Sequence, residues 1–260
     1  MRKQLFISVA ALAVSVAGPA AAADMAVPAA APFAARFNWT SCYLGGHVGG
    51  GFAQRDITDP VQLVQDSFLG AGSTVGTTTA SLSPNGVVIG GQIGCDYQFA
   101  SSWVIGIEGS ASGSTIKGST NVILPLGAPD IALVKANTDF LSSVTGRVGY
   151  AFDNVLVYGR GGVALAGDKY DVIGSFTLPP AMPFSFEGLD LRAGWVAGGG
   201  VEWAFSRHWS ANLEYDYYQF GHNSVLMSDS INGFVGNVDV KQSIQVVKLG
   251  LNFHIWGTGL

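Results

Sequence analysis

Asp96, Glu108, Glu202 and Glu214 each stand alone among small or apolar neighbours, and so do Arg147, Arg160, Arg192 and Lys248. Carboxylates brought together in this way can act as a general acid and base, as Glu202 and Glu214 could if they met. Four acids against four bases point instead to an ion-pair network, because a buried charge without a partner costs several kcal/mol. One stretch sharpens the point. "VTGRVGYAFDNVLVYGRGGVA", Val144 to Ala164, reads as two alternating segments around a two-residue Asp153-Asn154 turn. Pairing Phe152 with Val155 puts Arg147 opposite Arg160, and like charges facing each other on a hairpin repel. The hairpin therefore needs acids from elsewhere, and Glu108 is the expected partner of Arg147.

Other chemistry is weaker. Cys42 and Cys95 fall on neighbouring segments, on the same face and near the same end, so they form either a disulfide or two free thiols. His47 and His254 lie on the face that carries the charges, where hydrogen bonding is the expected role. His222 and Ser224 in "GHNS" have a nucleophile's spacing but no third orienting group. "GRGG" at 159–162 precedes no helix and so is not a phosphate loop. No catalytic residue, metal ligand or cofactor is expected.

Eight alternating segments must position these residues: approximately 39–53, 86–99, 103–114, 139–152, 155–168, 189–205, 209–220 and 240–255. Their connections alternate. "ASS", "DN" and "SRH" are short, whereas 54–85, 115–138, 169–188 and 221–239 read as long loops, carrying Asp56, Asp59, Asp66, Asp130, Asp171, Glu187, Asp229 and Asp239. One face of every segment is apolar and uncharged, from Leu44, Val48 and Phe52 to Leu249, Leu251, Phe253 and Ile255. The other face is Gly, Ala, Ser, Asn and Gln with the eight single charges. Eight strands enclose a space only just wide enough for side chains, so the small polar face belongs inside and the bulky apolar face outside. Tyr97, Phe99, Trp103, Tyr150, Phe152, Trp203, Phe205 and Trp209 all stand beside the short turns, as a girdle at a membrane–water interface does. The expected fold is all-β, an eight-stranded antiparallel up-and-down transmembrane β-barrel.

Composition agrees. Charged residues make up 12%, about half the usual quarter, yet past the first residues no apolar run approaches the ~20 that a membrane helix needs. Arg2 and Lys3, the apolar "LFISVAALAVSVAG" and the small residues of "AAAD" predict a signal peptide over 1–23. An Ala/Pro-rich leader follows over 24–38, and the barrel over 39–260. Removing Arg2 and Lys3 takes the net charge from −5 to −7, which argues against nucleic acid. An even strand count puts both termini on the short-turn side, periplasmic in this topology.

The chain resembles the small outer-membrane porin-like proteins with an OmpA-like eight-stranded barrel, which include outer-membrane immunogenic proteins of Gram-negative bacteria. The matching stretches are "FNWTSCYLGGHVGG", "GGQIGCDYQ", "VIGIEG", the Arg147–Arg160 hairpin, "AGWVAGGGVEWAFSRHWSANLEYDYYQFG" and "VVKLGLNFHI". Cys42 and Cys95 replace expected aromatics, and the chain ends "HIWGTGL" rather than on an aromatic residue. The resemblance implies outer-membrane insertion, with outer-membrane lipids, lipopolysaccharide and the barrel-insertion machinery as partners. It implies a mainly structural role with at most a narrow path for small solutes. A surface adhesin acting through the long loops is the rival reading, and a lipid-modifying enzyme comes third. The oligomeric state is left open.

Overall fold

The computed structural model describes residues 37–58, 79–124, 130–176 and 182–255. The expected signal peptide and most of the leader, together with Asp59 and Asp66, lie outside the described residues. The strands are β1 (Ser41–Thr58), β2 (Thr79–Leu82), β3 (Asn85–Gln98), β4 (Trp103–Leu124), β5 (Asp130–Phe152), β6 (Val155–Phe176), β7 (Met182–Ala204), β8 (Trp209–Asp229) and β9 (Val235–His254). Each pairs antiparallel with its neighbour, and β9 closes on β1, with Leu44 opposite Phe253 and Thr58 opposite Asp239. Eight strands form the closed ring. The ninth, β2, continues β3: both meet β1 in one register, Arg55 opposite Leu82 and Ser41 opposite Asp96. Between them stands Pro84, which has no N–H for the ladder but whose carbonyl accepts from Ala53 N–H at 2.8 Å.

The strands are longer than the sequence pattern indicates, and this corrects the four long loops. β5 runs 23 residues, β6 22 and β7 23, against the ~9–11 tilted residues that cross a bilayer. Asp56, Asp171, Glu187 and Asp239 therefore sit on strands. Three strands also slip by a residue at a bulge, Gly113/Ile116 in β4, Thr138/Phe140 in β5 and Gln219/His222 in β8, which breaks their alternation. Strands β1, β6, β7 and β9 keep one parity throughout, but their outward side chains turn polar beyond the apolar band. Gly221 carries the β8 bulge at φ +66°, a conformation that suits glycine. The short turns match the pattern. Phe152 pairs with Val155, and Asp153 takes φ +55° in the turn between them.

Outside, the apolar side chains form an uninterrupted band, with Leu191 68% and Ile89 65% exposed. No water-soluble protein leaves such a surface bare. The eight girdle aromatics are all exposed at its short-turn edge, with edge-to-face contacts such as Trp103–Tyr150 at 5.7 Å. Cys42 and Cys95 lie directly opposite each other on this outer face and form a disulfide.

The interior departs from expectation, for it is not only small and polar. Reading up β6 from the short turn, the inward residues are Leu156 and Tyr158, then Arg160, then Ala164 and Ala166, then Asp168, then Tyr170 and Val172. The same alternation recurs on neighbouring strands. Three apolar layers result. The lowest contains Trp39, Val104 and Leu156, the middle Ile116, Leu141, Val196, Phe220 and Ile244, and the upper Val134, Phe184, Phe186, Val225 and Val238. Between them lie two charged layers.

Candidate functional site

The lower charged layer collects the expected residues. Arg147 and Arg160 face each other on β5 and β6, and they avoid repulsion by turning to different acids. Arg147 grips Asp96 with two N–H groups, Nε to Oδ1 at 2.7 Å and Nη2 to Oδ2. Its Nη1 donates to Glu202 at 3.1 Å. Arg160 Nη1 donates to Glu108 at 2.7 Å and to Glu214 at 3.0 Å. Lys248 reaches Glu214 at 3.0 Å and Asp216 at 2.7 Å. The expected Arg147–Glu108 pair is only a 3.9 Å contact. Glu108 is held by Arg160 and Tyr43 instead, and Asp96 takes Arg147 in the two-pronged geometry that suits guanidinium.

Tyrosines complete the layer. The Arg147 guanidinium lies between the Tyr43 and Tyr158 rings, 4.8 and 5.0 Å from their centroids, an attraction that adds to the ion pairs. Tyr43 donates to Glu108 at 2.6 Å and Tyr158 to Glu214 at 2.5 Å. Glu202 also accepts from Ser210 at 2.5 Å and Asn252 at 2.8 Å, with His254 Nε2 3.6 Å away. Glycines make the room: a Cβ on Gly106 would collide with the Asp96 carboxylate, and one on Gly94 with the Tyr43 hydroxyl. His47 holds Gln92 at 2.9 Å and Ser112 at 2.7 Å.

The upper charged layer was not foreseen. Arg192 belongs here, apart from the other seven expected residues. Its Nε donates to Asp190 at 2.7 Å and lies 3.7 Å from Asp168. Arg55 Nη2 donates to Asp168 at 2.8 Å and to Thr138, and Thr138 donates to Asp168 at 2.6 Å. The Tyr170 ring lies 5.4 Å from each guanidinium. Sequence reasoning missed Arg55, Asp168, Asp190 and Asp216. Two carried a usable signal: Asp216 shares the parity of Glu214 between outward Tyr215 and Tyr217, and Asp168 shares that of Arg160. Arg55 and Asp190 lay outside or at the edge of the segments read.

His222 and Ser224 do not come together chemically. Ser224 donates to Asp239, and His222 lies opposite Lys241.

The model of the outer membrane protein beta-barrel domain matches residues 8–253. This chain belongs to that family. It is an outer-membrane β-barrel protein. The 31 kDa outer-membrane immunogenic protein of Brucella melitensis is 28% identical over 255 residues, covering 95% of this chain and 98% of the relative. The 25 kDa outer-membrane immunogenic protein of Brucella abortus is 26% identical over 84% of this chain and 83% of its own length. Among solved structures, the outer membrane protein OprG of Pseudomonas aeruginosa superposes with a TM-score of 0.49 at 16% identity, over 84% of this chain and 98% of that one.

Proposed function

We propose that the protein is a structural barrel that spans the outer membrane with its interior shut, rather than a solute pore. The observation that carries this reading is the stack of apolar layers. Ile116, Ile244 and Val246 are 0% exposed and Leu141 3%, so ions and sugars would have to cross a dry layer between the two charged ones. The lowest layer adds Trp39, whose ring packs 4.7 Å from Phe37 and 6.1 Å from His254 across the barrel mouth. Proteoliposomes holding the refolded protein should swell no faster in arabinose than protein-free vesicles. Swelling at rates seen with an open porin would overturn the reading.

In this reading the short turns and both termini face the periplasm, and the long strand extensions stand outside the cell. The sorting of short turns to one end and long extensions to the other supports that orientation, since such barrels keep their short turns periplasmic. A maleimide dye that cannot cross membranes should label Ser230→Cys on whole cells; labelling only after lysis would reverse the orientation.

The extensions favour surface recognition as a second role. Leu226, Ile231 and Val235 stay exposed near the tip of the β8–β9 hairpin, beyond the apolar band. No enzymatic role is proposed. Ser41, His254 and Glu202 do form a chain, with Ser41 Oγ 2.7 Å from His254 Nδ1, but all three are buried beneath Trp39 and serve the lower charged layer.

A further inference from the structure

The outer surface of β3–β6 carries two features that a sealed interior does not require. The first is a cluster of cations. Lys117 on β4, Lys135 on β5 and Lys169 on β6 point outward, away from their buried neighbours Ile116, Val134, Ala136, Asp168 and Tyr170. Lys117 lies opposite Asn137, Asn137 lies opposite Lys169, and Lys135 is two residues further along β5. Strand spacing and rise put the three stems at the corners of a triangle with sides of about 8–10 Å. Lys169 meets Asp139 at 3.0 Å, both side chains being well exposed, so water screens that pair. Asp171 is opposite Lys135, and Glu187 is opposite Asp171. Lys117 and Lys135 have no ion-pair partner among the described residues. Elsewhere at this height, Lys241 lies opposite Asp56.

The second feature lies directly below, nearer the short turns on the same strands. There the outward side chains shrink to Gly91, Ala111 and Ser142 in one cross-strand row, with Gly109 beside it. They floor a trough of about 540 Å³ walled by Ile93, Val144 and Leu165. The trough lies within the lipid band, so acyl chains fill it. The lysines stand about 13–23 Å further along the strands from the short turns, four residues past Leu165 on β6, six past Ala111 on β4 and seven before Ser142 on β5.

We propose that this sector is a binding site for lipopolysaccharide, with Lys117, Lys135 and Lys169 on its phosphates and the trough holding an acyl chain. Three cations spread over about 8–10 Å match a headgroup with more than one phosphate better than the single phosphate of a glycerophospholipid. The proposal deepens the structural reading above and rests on its orientation, since lipopolysaccharide occupies the outer leaflet. Binding in micelles does not depend on orientation, and whole-cell labelling of Ser230→Cys does, so the two can fail separately.

The test is native mass spectrometry of the full chain, refolded in uncharged detergent and titrated with lipopolysaccharide or with phosphatidylethanolamine. Two variants accompany it. K117Q/K135Q/K169Q removes the cations, and G109L fills the trough at a glycine where an added Cβ would meet no atom within 4 Å. Each lysine near an anionic headgroup contributes about fivefold in affinity, so the triple variant should bind on the order of a hundredfold more weakly at low salt. G109L should weaken binding by about tenfold at all salt concentrations. Either variant binding like the parent, equal affinity for phosphatidylethanolamine, or a dimer of the chain that G109L dissolves would each overturn the proposal.

Discussion

The two charged layers solve the same problem in different ways. The lower one sets five acids, Asp96, Glu108, Glu202, Glu214 and Asp216, around three bases, Arg147, Arg160 and Lys248. Its bases each touch at least two carboxylates, and most of its acids also accept from a hydroxyl or amide. The upper layer is balanced, Arg55 and Arg192 against Asp168 and Asp190, and it hangs on Asp168. Both layers leave guanidinium nitrogens without hydrogen bonds among the described residues, Nε and Nη1 on Arg55 above and Nε and Nη2 on Arg160 below. The difference teaches that charge balance is a poor guide to robustness. What matters is how many alternatives each group has once one is removed. In the lower layer the bases are scarce and the acids redundant; in the upper layer one acid is indispensable.

Loss of Arg147 should therefore do the greatest harm. Arg147→Ala leaves Asp96 with no cation and should lower stability by about 3–5 kcal/mol, measured by urea unfolding in lipid vesicles. Adding Asp96→Asn should restore part of that loss; strictly additive effects would mean the two do not act as a pair. Asp168→Ala comes next, at about 3 kcal/mol, because it leaves buried Arg55 with no carboxylate, only neutral Thr138 and Gln242 and the Tyr170 ring. A cost under about 1 kcal/mol would show that the upper layer is no weaker than the lower. Glu108→Gln should cost about 1 kcal/mol or less, since Arg160 retains Glu214 and Asp216 and the layer loses a surplus acid. A loss as large as that from Arg147→Ala would remove the idea of redundant acids.

The smallest effect lies outside both layers, at the β8–β9 tip. Burial works to raise the Asp229 pKa, but bonds from Ile231 N–H at 3.0 Å, Asn232 Nδ2 at 2.7 Å and Ser185 N–H at 3.1 Å outweigh it and hold the carboxyl below its ordinary range. A depressed folded-state value means that the contribution is complete above the unfolded value of about 4 and fades as pH falls through the lower, folded one. Amide exchange at Ile231 should quicken, relative to its intrinsic rate, only on that acid side. Unchanged protection down to about pH 2 would detach the carboxylate from the turn.

Much of the barrel was legible because a membrane imposes a strict parity. Leu44, Trp103, Val163 and Leu249 could be set outside from alternation alone, and Arg147 opposite Arg160 followed from a two-residue turn. Bulges hid the extensions of β4, β5 and β8, and on β1, β6, β7 and β9 polar outward residues hid a parity that never changes. Past Gly113, Thr138 and Gln219 the parity slips by one, so those three extensions looked like polar loops; Arg55 fell outside the segments read and Asp190 at the edge of one, both on strands that do not slip. Partner choice was hidden for another reason. Whether Arg147 meets Asp96 or Glu108 depends on which side chain reaches across the ring, and spacing along one strand says nothing about that. The apolar layers were legible in principle: Leu156, Ala164, Ala166 and Val172 share the parity of Arg160. Their stacking into separate layers, however, depends on the register of all eight strands at once.

Planar-bilayer recording tests the central claim most directly, that the middle apolar layer shuts the barrel between its two charged layers. Refolded protein inserted in about 1 M KCl (roughly a 3 Å screening length, so that fixed charges do not mask conduction) should leave the membrane silent. Stable, uniform conductance steps from the unaltered chain would contradict it.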